Sequence, residues 1–385
     1  MTGTRRLVRN PAVDRARLAA PDGRVLAYHQ SWTGYAPTPL KTAPEAAARL
    51  GVGSVAVKDE SSRFGMPSFK ILGASWATHR ALCARLGSRP EQLRTVEDLC
   101  RRLRGSSLTL VAATDGNHGR AVARMAKLLG LQSHILVPDD MVDARVAGLR
   151  SEGANVTSVA GGYDAAVAAS ARLGDDDHLV ISDTSWPGYD TVPGWVIDGY
   201  ATMTTEIEDQ RRSQGIAPFT IVAVQIGVGA FAASIARAFR GGTARVIGVE
   251  PVSADCVTSS VEVGHPVQLL GKQMSIMAGL NCGTPSAVAW SDLMHGIDEF
   301  VTVGDDEAEL AMRVLAGDGI VSGESGAAGL AGLLGFGPQL GLGEDDHVLV
   351  VSTEGATDPH GYARAVGLTA LTASPEPSTA RTPHH

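Results

Sequence analysis

A single lysine, Lys70, stands where an apolar helix is predicted to begin, and its surroundings favour covalent chemistry with a carbonyl compound. The stretch from 58 to 74 reads KDESSRFGMPSFKILGA, with charged residues on the approach and Phe69, Ile71 and Leu72 around the lysine. Such a setting can lower a lysine pKa, and a neutral amine is the form that makes a Schiff base. The pattern therefore indicates a lysine that holds a carbonyl cofactor, with a surface lysine at a helix start as the alternative.

A polar segment, TDGNHGR from 114 to 120, follows a predicted strand and opens a predicted helix. Open α/β sheets bind their ligands at this carboxyl edge. The amide of Asn117 can hydrogen-bond a ring hydroxyl, and the carboxylate of Asp115 can accept a proton. Gly116 and Gly119 allow a ligand to approach the backbone closely. The alternative is a helix cap and turn, in which Asp and Asn are also common.

A glycine loop precedes an alanine-rich helix in the second half of the chain, and it consists of Gly227, Val228, Gly229 and Ala230. Backbone N–H groups at a helix N-terminus bind phosphate. The loop lacks the third glycine of the GxGxxG fingerprint and the Lys-Ser/Thr of a P-loop. The ligand that carries the phosphate is therefore less well explained as a nucleotide.

Two hydroxyl residues, Ser352 and Thr353, follow the last predicted apolar strand. A hydroxyl at a pyridine nitrogen leaves that nitrogen largely unprotonated, whereas a carboxylate would hold a proton there. A strand-end turn is the alternative for this segment taken alone. Together with Lys70, Asn117 and the glycine loop, the hydroxyls match the requirements of pyridoxal 5′-phosphate, which stabilises a carbanion at the substrate Cα.

Alternating strands and helices must position these segments. Strands are predicted at 54–57, 108–113, 134–137, 155–159, 220–225, 244–249, 299–303 and 347–351. Helices are predicted at 43–50, 69–86, 119–129, 143–151, 196–208, 230–239, 306–315 and 326–334, whereas the N-terminal region and the pair Gly161-Gly162 are predicted loops. The order indicates an α/β fold of two open, twisted, mostly parallel sheets flanked by helices.

Composition limits the class of protein. The 385 residues suffice for about two domains, and 44% hydrophobic with 19% charged residues is typical of a globular protein. A net charge of −8 argues against nucleic acid as a partner. No secretory signal or membrane span is recognisable, which predicts a cytoplasmic protein with no membrane partner. Four scattered cysteines without a CxxC pair predict no disulfide framework, and eleven histidines without HExxH spacing predict no metal site.

Six motifs are distributed from 58 to 362, and they read KDESSRFGMPSFK, TDGNHGR, DTSWPGY from 183 to 189, GVGAF, MAGLNCG from 277 to 283, and STEGATDP. A sequence with these motifs resembles the diaminopropionate ammonia-lyases, pyridoxal phosphate enzymes of the tryptophan synthase β-like fold, fold type II. Threonine dehydratases share the plan but differ at two of the motifs. The resemblance implies an active site between a large cofactor-binding domain, 1–80 with 200–371, and a small domain, 81–199, with 372–385 as a disordered tail.

The resemblance also implies a role for each candidate residue. Lys70 becomes the internal Schiff-base lysine, and Asp115 a second base on the other face of the substrate Cα, which would let both D and L isomers react. The residues implied to bind the cofactor are Lys70, Phe69, Asn117, Gly227, Val228, Gly229, Ala230, and Ser352 or Thr353. Those implied to bind the substrate are Asp115, Asp183, Thr184 and Ser68, with Asp183 at the substrate amino group. A homodimer is implied as well.

The implied activity is α,β-elimination from a 2,3-diaminopropionate-like amino acid to give pyruvate and ammonia. Two departures concern the substrate: Pro67-Ser68 replaces Asn-Ala of the family, and Ala356 replaces an Asp that could anchor a cationic β-amino group. Elimination or replacement at Cβ of another amino acid, and a catalytically silent cofactor-binding protein, therefore stay open. Cys256 and Cys282 fall in segments that the family places near the mouth of the active site, and we expect free thiols in a reducing cytoplasm.

Overall fold

The computed structural model describes residues 4–367. The predicted tail at 372–385 and the last residues of the predicted large domain, 368–371, lie outside the described residues. The strands are β1 (Leu7–Arg9), β2 (Leu40–Thr42), β3 (Ser54–Asp59), β4 (Thr109–Ala113), β5 (Gln132–Pro138), β6 (Asn155–Val159), β7 (His178–Val180), β8 (Ile221–Gln225), β9 (Arg245–Pro251), β10 (Glu299–Val303) and β11 (His347–Ser352).

The α-helices alternate with these strands along most of the chain. They are α1 (Arg24–Gln30), α2 (Pro44–Leu50), α3 (Lys70–Arg85), α4 (Val96–Arg102), α5 (Asn117–Leu129), α6 (Asp143–Ser151), α7 (Gly162–Ala171), α8 (Thr191–Gly199), α9 (Ala201–Ser213), α10 (Ala230–Phe239), α11 (Cys256–Val263), α12 (Ala287–Gly296), α13 (Asp305–Gly317), α14 (Glu324–Leu340) and α15 (Pro359–Val366). Between residues 4 and 367, no helix has the length and apolar character needed to cross a membrane.

Seven strands form the larger sheet, in the order β1-β10-β9-β8-β11-β3-β2. The five inner strands are parallel, and β1 and β2 pair antiparallel at the two edges. The register places Val348 of β11 between Val55 of β3 and Ile221 of β8. Every residue of β8 is buried, as expected for an apolar parallel strand covered by helices on both faces.

Four parallel strands form the smaller sheet, in the order β6-β5-β4-β7. All of them come from one continuous segment of the chain, 109–180. Helix α5 connects β4 to β5, and both α5 and α7 pack against these two strands. The fold therefore consists of two mostly parallel sheets flanked by helices, which confirms the predicted fold class.

Helix α3 packs against α8 through two glycines. A Cβ on Gly199 would lie 2.6 Å from the main-chain oxygen of Leu72 and 2.7 Å from Cα of Gly73. A larger residue does not fit at this contact, so the glycine fixes the close spacing of the two helices. The single helix predicted at 196–208 is divided here into α8 and α9, because ψ of Tyr200 is −10°, away from the value of about −42° in a regular α-helix.

Two regions predicted as loops contain regular structure. The N-terminal region holds β1, α1 and β2. Edge strands of three residues carry too few alternations for their pattern to be recognised. Gly162 begins helix α7, and Gly161 and Gly162 have φ values of +105° and +84°, a left-handed backbone that glycine adopts without strain. The pair is therefore the start of a helix and not an ordinary connecting loop.

Candidate active site

The polar segments selected from the sequence meet where several strands of both sheets end. The segment TDGNHGR follows β4, Asp183 follows β7, the glycine loop follows β8, and Thr353 follows β11. The first residues of three helices, which are Lys70 of α3, Asn117 of α5 and Ala230 of α10, line the same pocket. Carboxyl ends of parallel strands are the usual ligand sites of open α/β sheets.

Lys70 is largely buried in this pocket and contacts a carboxylate. Its Nζ donates a hydrogen bond of 2.7 Å to Oδ2 of Asp183 and lies 5.5 Å from the centre of the Phe69 ring. Burial lowers the pKa of Lys70, but the charge and hydrogen bond of Asp183, together with Tyr200 and Asp115, outweigh burial and leave the pKa above its ordinary value. The predicted lowering of this pKa is therefore wrong. The apolar neighbours are visible in the local sequence, whereas Asp183 is 113 residues away.

Asp183 is the anion around which the other polar side chains are arranged. Its Oδ1 accepts a hydrogen bond of 3.0 Å from the hydroxyl of Tyr163, and its Oδ2 lies 3.8 Å from Nδ1 of His118. Burial raises the pKa of Asp183, but His118 and Lys70 together hold it below the ordinary value. Burial also lowers the pKa of His118, whose Nε2 donates to the main-chain oxygen of Ile181 at 2.8 Å. Asp183 is thus an ionised carboxylate that holds the lysine.

Asp115 lies between the Lys70 pocket and a larger cavity of about 570 Å³, and it lines both. Burial raises the pKa of Asp115 to about 6, while the positive charges of Lys70 and Arg145 limit the rise. At neutral pH the carboxylate is mostly ionised, and it is a stronger base than an ordinary aspartate. These are the properties of a group that can take up a proton near neutral pH.

The glycine loop after β8 carries no bulky side chain at its two tightest positions. A Cβ on Gly227 would lie 2.9 Å from the main-chain oxygen of Gly279 and 3.2 Å from Sγ of Cys282. Gly229 has a φ of +99°, and a Cβ there would lie 2.5 Å from Cδ1 of Leu293. Both positions require glycine. Since α10 begins immediately afterwards, the loop has the composition of a helix N-terminus that binds phosphate.

An amide and a hydroxyl fix the opposite side of the pocket. The Nε2 of Gln225 donates to Oγ1 of Thr353 at 2.8 Å, which leaves the hydroxyl proton of Thr353 available for a ring nitrogen. Asn117 donates its side-chain N–H to the carboxylate of Glu354. The amide is held at the edge of the pocket by this contact.

The residues present fit pyridoxal 5′-phosphate. The pocket supplies an amine, a glycine loop at a helix start, a neutral hydroxyl and an amide, which are the groups that the cofactor requires. The free space in the pocket is about 50 Å³, and Lys70 and Asp183, which are in contact, both line it. Lys70 can form a Schiff base only after its amine has lost the proton that it donates to Asp183.

Of the two strand-end hydroxyls, only Thr353 lines the pocket. Ser352 donates a hydrogen bond of 2.8 Å to Oγ of Ser322 and is buried away from the pocket. The prediction named Ser352 or Thr353 as the partner of the ring nitrogen, and the structure favours Thr353 as the candidate. Successive strand residues point to opposite faces, and the strand pattern alone does not specify which face bounds a site.

Two predicted substrate-binding residues do not line the pocket. The main-chain N–H of Thr184 donates to Oγ of Ser182 at 3.2 Å, and the Ser182 hydroxyl donates back to the Thr184 main-chain oxygen at 3.0 Å. Ser68 pairs through its main chain with Glu354. Both residues are buried, and these contacts involve their main chains. The structure does not bring Thr184 and Ser68 into the wall of the pocket, and their role in substrate binding stays a prediction.

Several lining residues were not predicted as site residues. They are Thr114, His118, Tyr163, Gln225, Phe231, Ala232, Gly279, Leu280, Cys282, Ser325 and Glu354. His118, Cys282 and Glu354 lie inside the quoted motifs, so a search for motif residues without a role could have found them. Tyr163 follows the glycine pair at the start of α7, and no local pattern marks it. The buried thiols of Cys256 and Cys282 are free, as predicted.

The fold and this site together define a pyridoxal-phosphate-dependent enzyme of fold type II. A sequence model of the pyridoxal-phosphate dependent enzymes matches residues 32–354. Diaminopropionate ammonia-lyase of Escherichia coli K12 is 37% identical over 358 residues, which cover 88% of this chain and 89% of that protein. The enzyme of the same name from Salmonella typhimurium is 34% identical over 371 residues, which cover 88% and 90%.

Solved structures give the same result. A crystal structure of the Escherichia coli diaminopropionate ammonia-lyase in complex with D-serine is 33% identical and superposes with a TM-score of 0.86, covering 95% of this chain and 97% of that chain. The chain therefore belongs to the diaminopropionate ammonia-lyase family of pyridoxal-phosphate-dependent enzymes. The predicted family, cofactor and enzyme class are confirmed.

Proposed function

We propose that this protein catalyses the α,β-elimination of 2,3-diaminopropionate to pyruvate and ammonia. The observation that carries the proposal is the presence in one pocket of Lys70 and of Asp115, a carboxylate with a pKa of about 6. Two potential bases in one pocket suit proton removal from a substrate Cα. The identity of 37% to the Escherichia coli diaminopropionate ammonia-lyase supports the choice of substrate.

Lys70 has two tasks in the proposed reaction. When bound, pyridoxal phosphate draws electrons from the substrate Cα and so makes the Cα proton removable. Lys70 must lose a proton before its amine can react, because the ammonium group that donates a hydrogen bond to Asp183 is not a nucleophile. Once neutral, the Lys70 amine can also act as a base on one face of the Cα.

Asp183 is proposed to pair first with the Lys70 ammonium and then with the amino group of the substrate. Its carboxylate holds the Lys70 ammonium at 2.7 Å and the Tyr163 hydroxyl at 3.0 Å. When Lys70 gives up its charge, the same carboxylate is available to the amino group of the incoming substrate. The hydrogen bond from the Tyr163 hydroxyl keeps Asp183 in place during this exchange.

Asp115 is proposed as the base on the other face of the Cα. Its pKa of about 6 lets it accept a proton at neutral pH and release it again. On the opposite side of the pocket, the hydrogen bond of 2.8 Å from Gln225 fixes the orientation of the Thr353 hydroxyl. With one base on each face, both the D and the L isomer of the substrate would react.

A substrate series tests the proposal. Purified enzyme loaded with pyridoxal phosphate is assayed for pyruvate from D- and L-diaminopropionate and from D- and L-serine, and for the corresponding 2-oxo acid from L-threonine. Rapid release from both diaminopropionate isomers is expected. Slower turnover of diaminopropionate than of the hydroxy amino acids would contradict it.

A dehydratase acting on a hydroxy amino acid is the second candidate function. Ala356 favours it, because an alanine there offers no carboxylate to a cationic β-amino group. Phenylserine dehydratase of Ralstonia pickettii is 30% identical over 268 residues, which cover 69% of this chain and 77% of that protein. Preferential turnover of serine, threonine or phenylserine in the same assay would support this function.

We also propose a homodimer located in the cytoplasm. Four free thiols, three of them buried, suit a reducing compartment. Light scattering on the purified holoenzyme is expected to give twice the chain mass of 39.9 kDa. A monomeric mass would overturn the dimer, and secretion of the expressed protein would overturn the location.

A further inference from the structure

Two nearly buried side chains of opposite charge lie near each other in the wall of the 570 Å³ cavity, and neither lines the Lys70 pocket. Arg145 of α6 has 9% of its side chain exposed, and Glu324, the first residue of α14, has 7%. Among the described residues, Nε of Arg145 and Oε2 of Glu324 have no hydrogen-bond partner. The Nη2 of Arg145 lies 3.9 Å from Oε2 of Glu324, too far for a hydrogen bond.

The guanidinium of Arg145 is held near the TDGNHGR segment. Its Nη1 contacts the main-chain oxygen of Asp115 at 3.5 Å. Its methylene groups lie on Gly116, where a Cβ would be 3.3 Å from Cδ of Arg145. The distance of 3.9 Å to Glu324 therefore reflects two side chains anchored on different elements. The charge of Arg145 therefore acts on Oε2 of Glu324 from 3.9 Å, without a hydrogen bond to it.

Oε2 of Glu324 lacks a hydrogen-bond donor, although the positive charge of Arg145 lies 3.9 Å away. Burial and the neighbouring charge of Glu354 raise the pKa of Glu324 to about 7, while Arg145 favours its ionised form. A buried carboxylate oxygen without a donor costs free energy, and a bound ammonium group would remove that cost. The group is thus prepared to accept a cation.

The charges of the surrounding wall also favour a cation. Acidic residues outnumber basic ones: the acids are Asp115, Asp140, Asp164, Glu324 and Asp358, and the bases are Arg145, Lys272 and Arg364. Of the bases, Lys272 is already paired with Asp140 at 2.8 Å. The cavity is therefore suited to a small molecule that carries positive charge.

We propose that Glu324 is the subsite for the cationic β-amino group of the substrate, and that Arg145 favours its ionised form without donating the hydrogen bond that the ligand would supply to Oε2. The inference rests on the proposed diaminopropionate elimination. The inference also concerns Ala356, where the family has an Asp. The segment that contains Ala356 packs against the start of α14, since a Cβ on Gly323 would lie 2.5 Å from the main-chain oxygen of Gly355. Glu324 therefore supplies a carboxylate in the region where Ala356 lacks one.

Two substrates that differ in the charge of the β-substituent test the subsite. Diaminopropionate has an ammonium group at Cβ, whereas β-chloroalanine has a neutral leaving group of similar size. In Glu324→Gln, kcat/KM for diaminopropionate is expected to fall about 10- to 100-fold, the loss of a hydrogen bond to a charged group. Turnover of β-chloroalanine is expected to change less than about 3-fold. The preference between the two substrates therefore shifts, which a general loss of folding would not produce.

Asp140→Asn is the matched control, because it also removes one negative charge from the wall of the cavity. The Asp140 side chain is half exposed and is already paired with Lys272. It is expected to leave both substrates within about 2-fold of the unchanged enzyme. Glu324→Asp, which keeps the charge, is expected to restore part of the preference for diaminopropionate. An equal fall for both substrates in Glu324→Gln, or an equal effect of Asp140→Asn, would overturn the inference.

A binding readout separates this inference from the proposed function. Diaminopropionate is added as a competitor during turnover of β-chloroalanine, and its inhibition constant is measured for the unchanged enzyme and for Glu324→Gln. A rise of about 10-fold or more in the variant supports the subsite, even if diaminopropionate itself is not converted. An unchanged inhibition constant overturns the subsite, even if diaminopropionate is converted rapidly.

Discussion

Two lysines of one motif, Lys58 and Lys70, have opposite environments. Lys58 is fully buried, and its Nζ donates three hydrogen bonds: to the main-chain oxygen of Thr38 at 2.7 Å, to Glu206 at 2.7 Å and to Gln210 at 2.9 Å. An ammonium group has three N–H donors, so all of them are used. Burial lowers the pKa of Lys58, but its three N–H groups are all bonded to the protein and none remains for a ligand.

Lys70 has a single hydrogen-bond acceptor, Asp183, and keeps 18% of its side chain exposed to the pocket. The difference lies in how many acceptors surround each ammonium group and not in burial alone. A lysine with three acceptors stabilises the fold, whereas a lysine with one acceptor can lose its proton when that contact opens. The predictions below test this division, from the largest expected effect to the smallest.

Replacement of Lys70 is expected to have the largest effect on activity. In Lys70→Ala, pyruvate release from diaminopropionate should fall by more than about 1,000-fold, because a nucleophile and a base are lost together. The absorption band of the bound cofactor should lose its sensitivity to borohydride. Circular dichroism checks that the variant keeps its fold, because Asp183 loses its partner cation in the pocket. A variant that retains both activity and the borohydride-sensitive band would refute the assignment of Lys70.

Replacement of Lys58 is expected to act on stability. Lys58→Met leaves Glu206 with Arg63 as its remaining buried cation, which donates to it at 2.7 Å. Loss of one partner from a buried ion network should lower the free energy of unfolding by about 3 kcal/mol, measured by urea denaturation. Lys41→Met is the control, since Lys41 is more exposed and pairs with Asp59 at 2.8 Å; its cost should be below about 1 kcal/mol. Equal costs in the two variants would mean that burial does not distinguish these lysines.

Asp115 should make the turnover of one isomer of the substrate depend on pH. Its pKa of about 6 means that protonation removes the base as the pH falls through about 6. For the isomer that uses Asp115, kcat/KM should therefore rise with pH and level off above this value. Asp115→Asn should reduce turnover of that isomer about 100-fold and spare the other. A similar loss for both isomers would show that Asp115 does not serve one face of the Cα.

The contrast between the two lysines also marks how far sequence reasoning extends. The strands and helices of the α/β body follow from local periodicity, because burial imposes the same pattern on every covered strand. The motifs located Lys70, Asp115 and Asn117. Local sequence gave the wrong direction for the Lys70 pKa, because the carboxylate that raises it comes from another sheet. Long-range partners of this kind carry no signal in a short window.

The same limit explains why neighbouring residues were not separated. Ser352 and Thr353 are both hydroxyl residues at a strand end, and only the fold turns one toward Gln225 and the other toward Ser322. Tyr163 was missed because its contact with Asp183 depends on how α7 packs on the smaller sheet. Chemistry of a residue type is visible in a sequence, whereas the direction in which a side chain points is fixed by packing.

The smallest predicted effect tests this last distinction. Thr353→Val removes the hydroxyl that accepts from Gln225 and faces the pocket, and it should lower cofactor affinity and kcat by roughly 5- to 10-fold, the cost of one neutral hydrogen bond. Ser352→Ala removes the equally buried hydroxyl next to it, which donates to Ser322. Its activity should stay within about 2-fold, with any loss confined to thermal stability. Titration of each apoprotein with pyridoxal phosphate, followed by absorbance, measures the affinity. A larger loss of cofactor affinity in Ser352→Ala than in Thr353→Val would mean that the other hydroxyl serves the ring nitrogen.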